Sequence, residues 1–222
     1  MTAIKYFALT LMASLLLAFS PAAAKAEPYR IVAVGDSLMA GFGLPPGETF
    51  PEKLQAALKA KGYDVTIDNA GASGDTSSGG LSRLDWSVPE GTRLVILELG
   101  ANDMLRGIEP ALTEKNLDAM ISRLKARGVQ VILAGMRAAP NLGPDYQKAF
   151  DGIYKLLADR HGVTLYPFFI DGVAAQKALL QDDGMHPNGE GVGRMVERFL
   201  PVIEPLLAAA TTASDTQQGA AR

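Results

Sequence analysis

The residues with the widest chemical reach in this chain are its two histidines, because a side chain that titrates near neutrality is the common proton carrier of polar reactions. His186 lies in Gln181-Asp-Asp-Gly-Met-His-Pro-Asn188, a loop of turn residues between two apolar regions. Asp183, three residues earlier across Gly184, can fold back to accept the ring N–H, fix the tautomer and stabilise an imidazolium, leaving the second ring nitrogen for a nucleophile. His161 ends the helix-like stretch Asp159-Arg160-His161-Gly162. An imidazole near a helix C-terminus is favoured electrostatically, and a glycine there makes a left-handed cap, so His161 is read as structural.

Ser37 is the matching hydroxyl. It follows the apolar run Ile31-Val-Ala-Val34 in Gly35-Asp36-Ser37-Leu38 and stands where a helix begins. A serine there is ordinarily an N-cap, so two readings, cap and nucleophile, are open from the residue alone. Acyl transfer also needs donors aimed at a developing oxyanion. Three candidates stand after successive strand-like runs: the Ser37 N–H, the N–H of Gly74 in Ala72-Ser-Gly-Asp-Thr76, and the side-chain amide of Asn102 in Gly100-Ala-Asn-Asp103. Met104, Leu105 and Ile108 are apolar residues expected on a loop beside Asn102, and are read as an acyl-facing lid that binds substrate. Asp36 is expected to bond the loop backbone, Asp75 to cap the helix after it, and Asp103 to pair with Arg106. A metal site is not expected: the chain has no cysteine and no further histidine suited to ligation.

Five β-branched, apolar runs must position these residues: Tyr29 to Val34, Val65 to Asn69, Arg93 to Leu99, Val129 to Gly135 and Val163 to Tyr166. They alternate with stretches of helical periodicity, such as Leu117, Met120, Ile121 and Leu124, or Tyr146, Phe150, Ile153, Tyr154 and Leu157. That alternation predicts an α/β fold, a parallel sheet with helices on both faces, and the nearly all-apolar third run belongs at its centre. Pro110 and Pro144 suit first helical turns, and Gly62, Gly128 and Gly162 suit helix ends. Pro201 and Pro205 should kink or split the last helix. Ligands in such sheets bind beyond the carboxyl ends of the strands, where the polar candidates fall.

With 222 residues, nearly half of them hydrophobic, the chain can build one sizeable core. Residues 1–26 read as a secretory signal: Lys5, an apolar run from Phe7 to Phe19, and a small-residue end at Ala24-Lys-Ala26. An uncleaved anchor is the lesser alternative. The single domain is expected over 27–207, and 208–222 as a tail without structure. The formal net charge is −3, and removing 1–26 takes two lysines and no acid, giving −5. Such a mildly acidic, mixed surface does not suit nucleic acid or an anionic membrane as partner. After signal removal no integral membrane span is expected, and the oligomeric state is left open.

Taken together, Gly35-Asp-Ser-Leu38, Gly74 within Asn69 to Thr76, Gly100-Ala-Asn-Asp103 and Asp183-Gly-Met-His-Pro187 resemble, in order, four sequence blocks of the SGNH, or GDSL-type, hydrolases. The resemblance runs from about Ile31 to Pro205 and is closer to the bacterial periplasmic arylesterases, thioesterase I and lysophospholipase-like esterases, carried by Leu97-Glu-Leu-Gly-Ala-Asn-Asp103, Leu105-Arg-Gly107 and Pro167-Phe-Phe169. It implies a three-layer α/β/α sandwich on a five-stranded, flavodoxin-like parallel sheet. It further implies Ser37, Asp183 and His186 as a catalytic triad, the Ser37, Gly74 and Asn102 donors as oxyanion hole, no cofactor, and a small-molecule ester or thioester as substrate, hydrolysed in the periplasm. Leu44-Pro-Pro-Gly-Glu48 follows the arylesterase-like members, while the small residues of Arg137-Ala-Ala-Pro140 leave the acyl length open. A carbohydrate O-acetyl esterase of the cell envelope and a non-catalytic periplasmic binding module are the two rival readings.

Overall fold

The computed structural model describes residues 27–220, without side chains at 211 or from 213 onward. The expected signal at 1–26 lies outside the described residues. Five strands, β1 (Tyr29–Gly35), β2 (Val65–Gly71), β3 (Leu94–Glu98), β4 (Gln130–Ala134) and β5 (Thr164–Tyr166), form one parallel sheet in the order β2-β1-β3-β4-β5. Each coincides with one of the five apolar runs, and every residue of β3 is buried at the sheet centre, as its composition requires.

Seven α-helices are described: α1 (Ser37–Ala40), α2 (Phe50–Ala60), α3 (Ser77–Ser87), α4 (Ala101–Leu105), α5 (Pro110–Ala126), α6 (Pro144–His161) and α7 (Gly189–Ala220). The chain moves one way across the sheet from β1 to β2 and the other way in every later crossover. Right-handed connections therefore put α2 on one face and α3, α5 and α6 on the other. α7 packs beside α2, which completes a three-layer α/β/α sandwich. Phe50, Phe169 and Phe199 meet edge to face on the α2–α7 side, and Phe150 meets Tyr154 on the other.

Local signals explain the helix ends. Thr49 and Glu52 form a reciprocal capping box for α2, and α5 and α6 begin on Pro110 and Pro144. Gly62, Gly128 and Gly162 all take positive φ, at 90°, 73° and 62°. Two expectations differ. Thr76, not Asp75, caps α3 by accepting from Gly79 N–H, because Asp75 is drawn to Arg83 at 2.5 Å. Nor do Pro201 and Pro205 split α7, which is continuous through both. Phe199, Ile203 and Leu207 are buried along one face there, so packing on both sides of each proline offsets the lost backbone bond. Past Leu207 the helix continues to Ala220, entered through Ala208, Ala209 and Ala210, residues of high helix propensity, and with the Thr212 hydroxyl bonded to the Ala208 carbonyl.

Candidate active site

The sheet order reverses between β1 and β3, so the loops leaving these neighbours splay apart and open a crevice at their carboxyl ends. Ser37 follows β1 into that crevice and Asn102 follows β3 into it. Asp36 is the N-cap of α1, accepting from Leu38 N–H at 3.0 Å. The neighbouring acid thus performs the capping, and the Ser37 hydroxyl is free for another bond.

That bond runs to His186, whose Nε2 lies 2.9 Å from Ser37 Oγ. On the other edge of the ring, Nδ1 is 2.6 Å from Asp183 Oδ2. A carboxylate can only accept, so the proton sits on Nδ1 and Nε2 is left to accept from the serine. Asp183 is held as expected from its spacing. Gly184 turns the chain at φ 69°, and Asp183 Oδ1 accepts the backbone N–H groups of Met185 and His186 at 2.9 and 3.0 Å. These two N–H groups, and then the ring itself, lower the Asp183 carboxyl to about 2.

The histidine loop is itself clamped. Gln181 N–H donates to the His186 carbonyl, and the Gln181 amide bridges the carbonyls of Phe42 and Pro187 at 2.7 and 2.9 Å. The Phe42 ring lies against the imidazole, with centroids 4.7 Å apart. Neither residue stood out in the sequence; the aromatic directly after Gly35-Asp-Ser-Leu-Met-Ala-Gly41 was the available signal.

Gly74 sits at φ 83°, and its carbonyl accepts from Arg106 Nη2 at 2.8 Å. Arg106 therefore anchors the Gly74 loop and does not pair with Asp103. Asp103 is buried and accepts instead from Ser77 N–H at 2.7 Å and the Thr113 hydroxyl at 3.0 Å, tying α4 to the starts of α3 and α5. Beneath α4, Tyr154 donates its hydroxyl to the Leu99 carbonyl at 3.0 Å. Gly100 follows at φ 122°, where any side chain would strike that hydroxyl, so the turn into Asn102 requires glycine.

Ser37, Gly74, Asn102 and His186 all line one cavity of about 440 Å³. Its wall is chiefly apolar, from Leu38, Met104, Leu105, Met136, Ile170 and Leu180. Met104 and Leu105 thus reach it from the short helix α4, not from a loop. Ile108 does not line it; its backbone instead bonds Asp103 and Tyr146. Exposed Phe42, Leu105 and Met185 rim the opening. Among the described residues no group of three histidine, aspartate or glutamate side chains is placed to hold a metal ion.

The second histidine is elsewhere. His161 Nε2 lies 2.8 Å from Asp118, which also accepts from Arg160, and it closes α6 ahead of the left-handed Gly162. Arg160 first and His161 second hold the Asp118 carboxyl below its ordinary value.

A fold of this kind, with a serine, histidine and aspartate hydrogen-bonded at the switch point, delimits a class of hydrolases, and sequence comparison says which. Residues 33–194 match the model of the GDSL-like lipase/acylhydrolase family. Esterase TesA of Pseudomonas aeruginosa is 40% identical over 184 residues, covering 82% of this chain and 92% of that one. The arylesterase of Vibrio mimicus is 41% identical over 178 residues, 80% and 89% of the two chains. Thioesterase 1/protease 1/lysophospholipase L1 of Escherichia coli is 35% identical over 193 residues, 86% and 89%. A crystal structure of TesA superposes with a TM-score of 0.76 at 40% identity, over 80% of this chain and 99% of the other. The chain belongs to the GDSL-like lipase/acylhydrolase family and is a carboxylic ester hydrolase.

Proposed function

We propose that the protein hydrolyses carboxylic esters with apolar acyl chains in two steps through a covalent acyl-serine. The observation that carries this reading is the Ser37–His186–Asp183 chain of hydrogen bonds opening into an apolar cavity. Ser37 Oγ attacks the ester carbonyl while His186 Nε2 takes its proton. Asp183, charged and held by backbone N–H groups, steadies the imidazolium. The Ser37 and Gly74 N–H groups and the Asn102 amide receive the negative charge on the carbonyl oxygen. The tetrahedral intermediate collapses, breaking the bond to the leaving oxygen or sulfur, which departs with the proton from His186. Water then adds to the acyl-serine by the same route in reverse and releases the acid.

A cavity of about 440 Å³ falls in the range of ligand-sized pockets, roughly 300–1,000 Å³. Its apolar wall suits an acyl chain longer than acetyl, and the names of the relatives extend the substrate class to aryl esters, acyl thioesters and lysophospholipids. Residues 1–26 are proposed as a cleaved secretory signal and the periplasm as the place of action. Among the described residues no helix is long and apolar enough to cross a membrane.

The test is a chain-length series of p-nitrophenyl esters alongside acetylated sugars, with the pure wild-type and Ser37→Ala proteins. Rates that rise from acetyl to medium chains and vanish in Ser37→Ala support the reading. A preference for acetyl-sugar moves the assignment to a carbohydrate esterase, and wild-type rates in Ser37→Ala overturn the mechanism.

A further inference from the structure

Glu98 is an acid in a strand where everything else is apolar. It closes β3 at the centre of the sheet and has no exposure to solvent. Its Oε2 accepts the Asp36 backbone N–H at 3.2 Å, while no N–H or O–H donor reaches Oε1. The two acids come together because the register sets Val34 beside Leu97, which brings Gly35 next to Glu98. The absence of a side chain at Gly35 is required, since a Cβ there would lie 2.5 Å from Glu98 Oε2.

Asp36 is equally buried, and both its oxygens are occupied: Oδ1 by Leu38 N–H and Oδ2 by the Asn102 side-chain amide at 3.0 Å. With Glu98 Oε2 on the Asp36 backbone N–H and both side chains buried, the two carboxyl groups face each other too closely for both to carry charge, so the pair holds a proton. Asp36 has two N–H donors favouring its anion and Glu98 has one, so the proton resides on Glu98, where it supplies the donor that its partner accepts. Burial and the facing Asp36 raise Glu98 well above the carboxylate range, and burial raises Asp36 to about 6.

The Asn102 amide is planar and carries two N–H bonds on one nitrogen. Directing one at Asp36 fixes the plane and therefore the direction of the other. The same carboxylate caps the turn that presents Ser37, so one buried acid sets both the nucleophile's turn and an oxyanion donor. We propose that Glu98 and Asp36 are positioning residues for the reaction, a buried carboxyl pair that aims the Asn102 amide at the oxyanion. This rests on the oxyanion role of Asn102 given under the proposed function.

A double-mutant cycle on a short aryl ester separates this from a structural role. Asn102→Ala should lower kcat by about 10²- to 10³-fold, the cost of one oxyanion donor. Asp36→Asn preserves size and one oxygen for Leu38 N–H but sets an NH₂ group against the Asn102 NH₂. Misaiming of that kind should lower kcat by about 10- to 100-fold with KM within about twofold. In the Asn102→Ala background the same substitution should cost less than about threefold, because residues acting through one another are non-additive. Glu98→Met, of similar size with neither donor nor strong acceptor, should also lower kcat, and Glu98→Gln should recover most of that loss by restoring an N–H for Asp36. If Glu98→Met does not fold, the Asp36–Asn102 cycle decides alone. Equal losses from Asp36→Asn in both backgrounds, or a rise in KM in place of a fall in kcat, overturn the proposal while leaving Asn102 its role. An undiminished kcat in Asn102→Ala overturns both.

Discussion

The molecule contains two histidine–aspartate pairs that burial cannot tell apart. Side-chain exposure is 17% and 32% for His186 and Asp183, and 14% and 34% for His161 and Asp118. What separates them is the company each keeps. Asp118 is shared with the Arg160 guanidinium, which neutralises it and already belongs to a surface ion cluster with Glu114. Asp183 is held by backbone N–H groups and no cation, so its charge remains available to an imidazolium. The rings also turn opposite edges to their acids. His161 uses Nε2 on Asp118, whereas His186 uses Nδ1 and leaves Nε2 for Ser37. A histidine beside a carboxylate is therefore no signature; a second nitrogen facing a hydroxyl is.

The widest gap between the pairs should appear on deleting the ring. His186→Ala or Ser37→Ala should lower kcat by about 10⁴- to 10⁶-fold, as loss of a triad member does elsewhere. His161→Ala should leave kcat unchanged in the same aryl-ester assay, and a matching loss there would break the contrast. Removing charge from the acids comes next. Asp183→Asn should cost about 10⁴-fold in kcat by favouring the wrong tautomer, while Asp118→Asn leaves turnover intact.

A smaller effect is expected at Phe42, whose ring lies on the face of His186. Contact of an aromatic face with a cation is worth about 0.5–1 kcal/mol at exposed sites, so Phe42→Ala should lower kcat by roughly two- to fivefold. An unchanged kcat would reduce Phe42 to a cavity wall.

The two acids of the site titrate in opposite senses. Asp183 is lowered from 3.8 to about 2, so its contribution to stability is present above about 4 and is lost as pH falls toward 2. Asp36 is raised from 3.8 to about 6, so it weakens the fold as pH rises through that window. Thermal unfolding against pH should show the wild type losing ground to Asp36→Asn between about 4 and 6, and to Asp183→Asn only below 4. The smallest expected effect is on the structural pair itself. Asp118→Asn should cost about 0.2–1 kcal/mol in urea unfolding, the usual worth of a solvent-exposed ion pair.

Much of this was legible in the chain because local rules suffice for it. The five strands and their central member follow from apolar runs, and His186 stands out because only one other histidine competes with it. Asp183 was readable from its spacing, since the turn at Gly184 is local. What escaped sequence reasoning depends on contacts across the sheet or between loops. Arg106 looks like a partner for Asp103 three residues away, yet it reaches the Gly74 carbonyl, and Asp103 turns inward to Ser77. Ile108 looked like part of the acyl lid, but the end of α4 at Leu105 carries the chain away from the cavity. Glu98 is masked by its apolar strand, although a lone acid in a fully buried run is a signal that something opposite must receive it.

The central claim, that Ser37 is made nucleophilic by His186 and not by the other pair, is tested most directly with a fluorophosphonate probe and peptide mass spectrometry. The account predicts one phosphonyl adduct, on Ser37, formed rapidly in the wild type and in His161→Ala and barely at all in His186→Ala. An adduct on another residue, or undiminished labelling of Ser37 in His186→Ala, would contradict it.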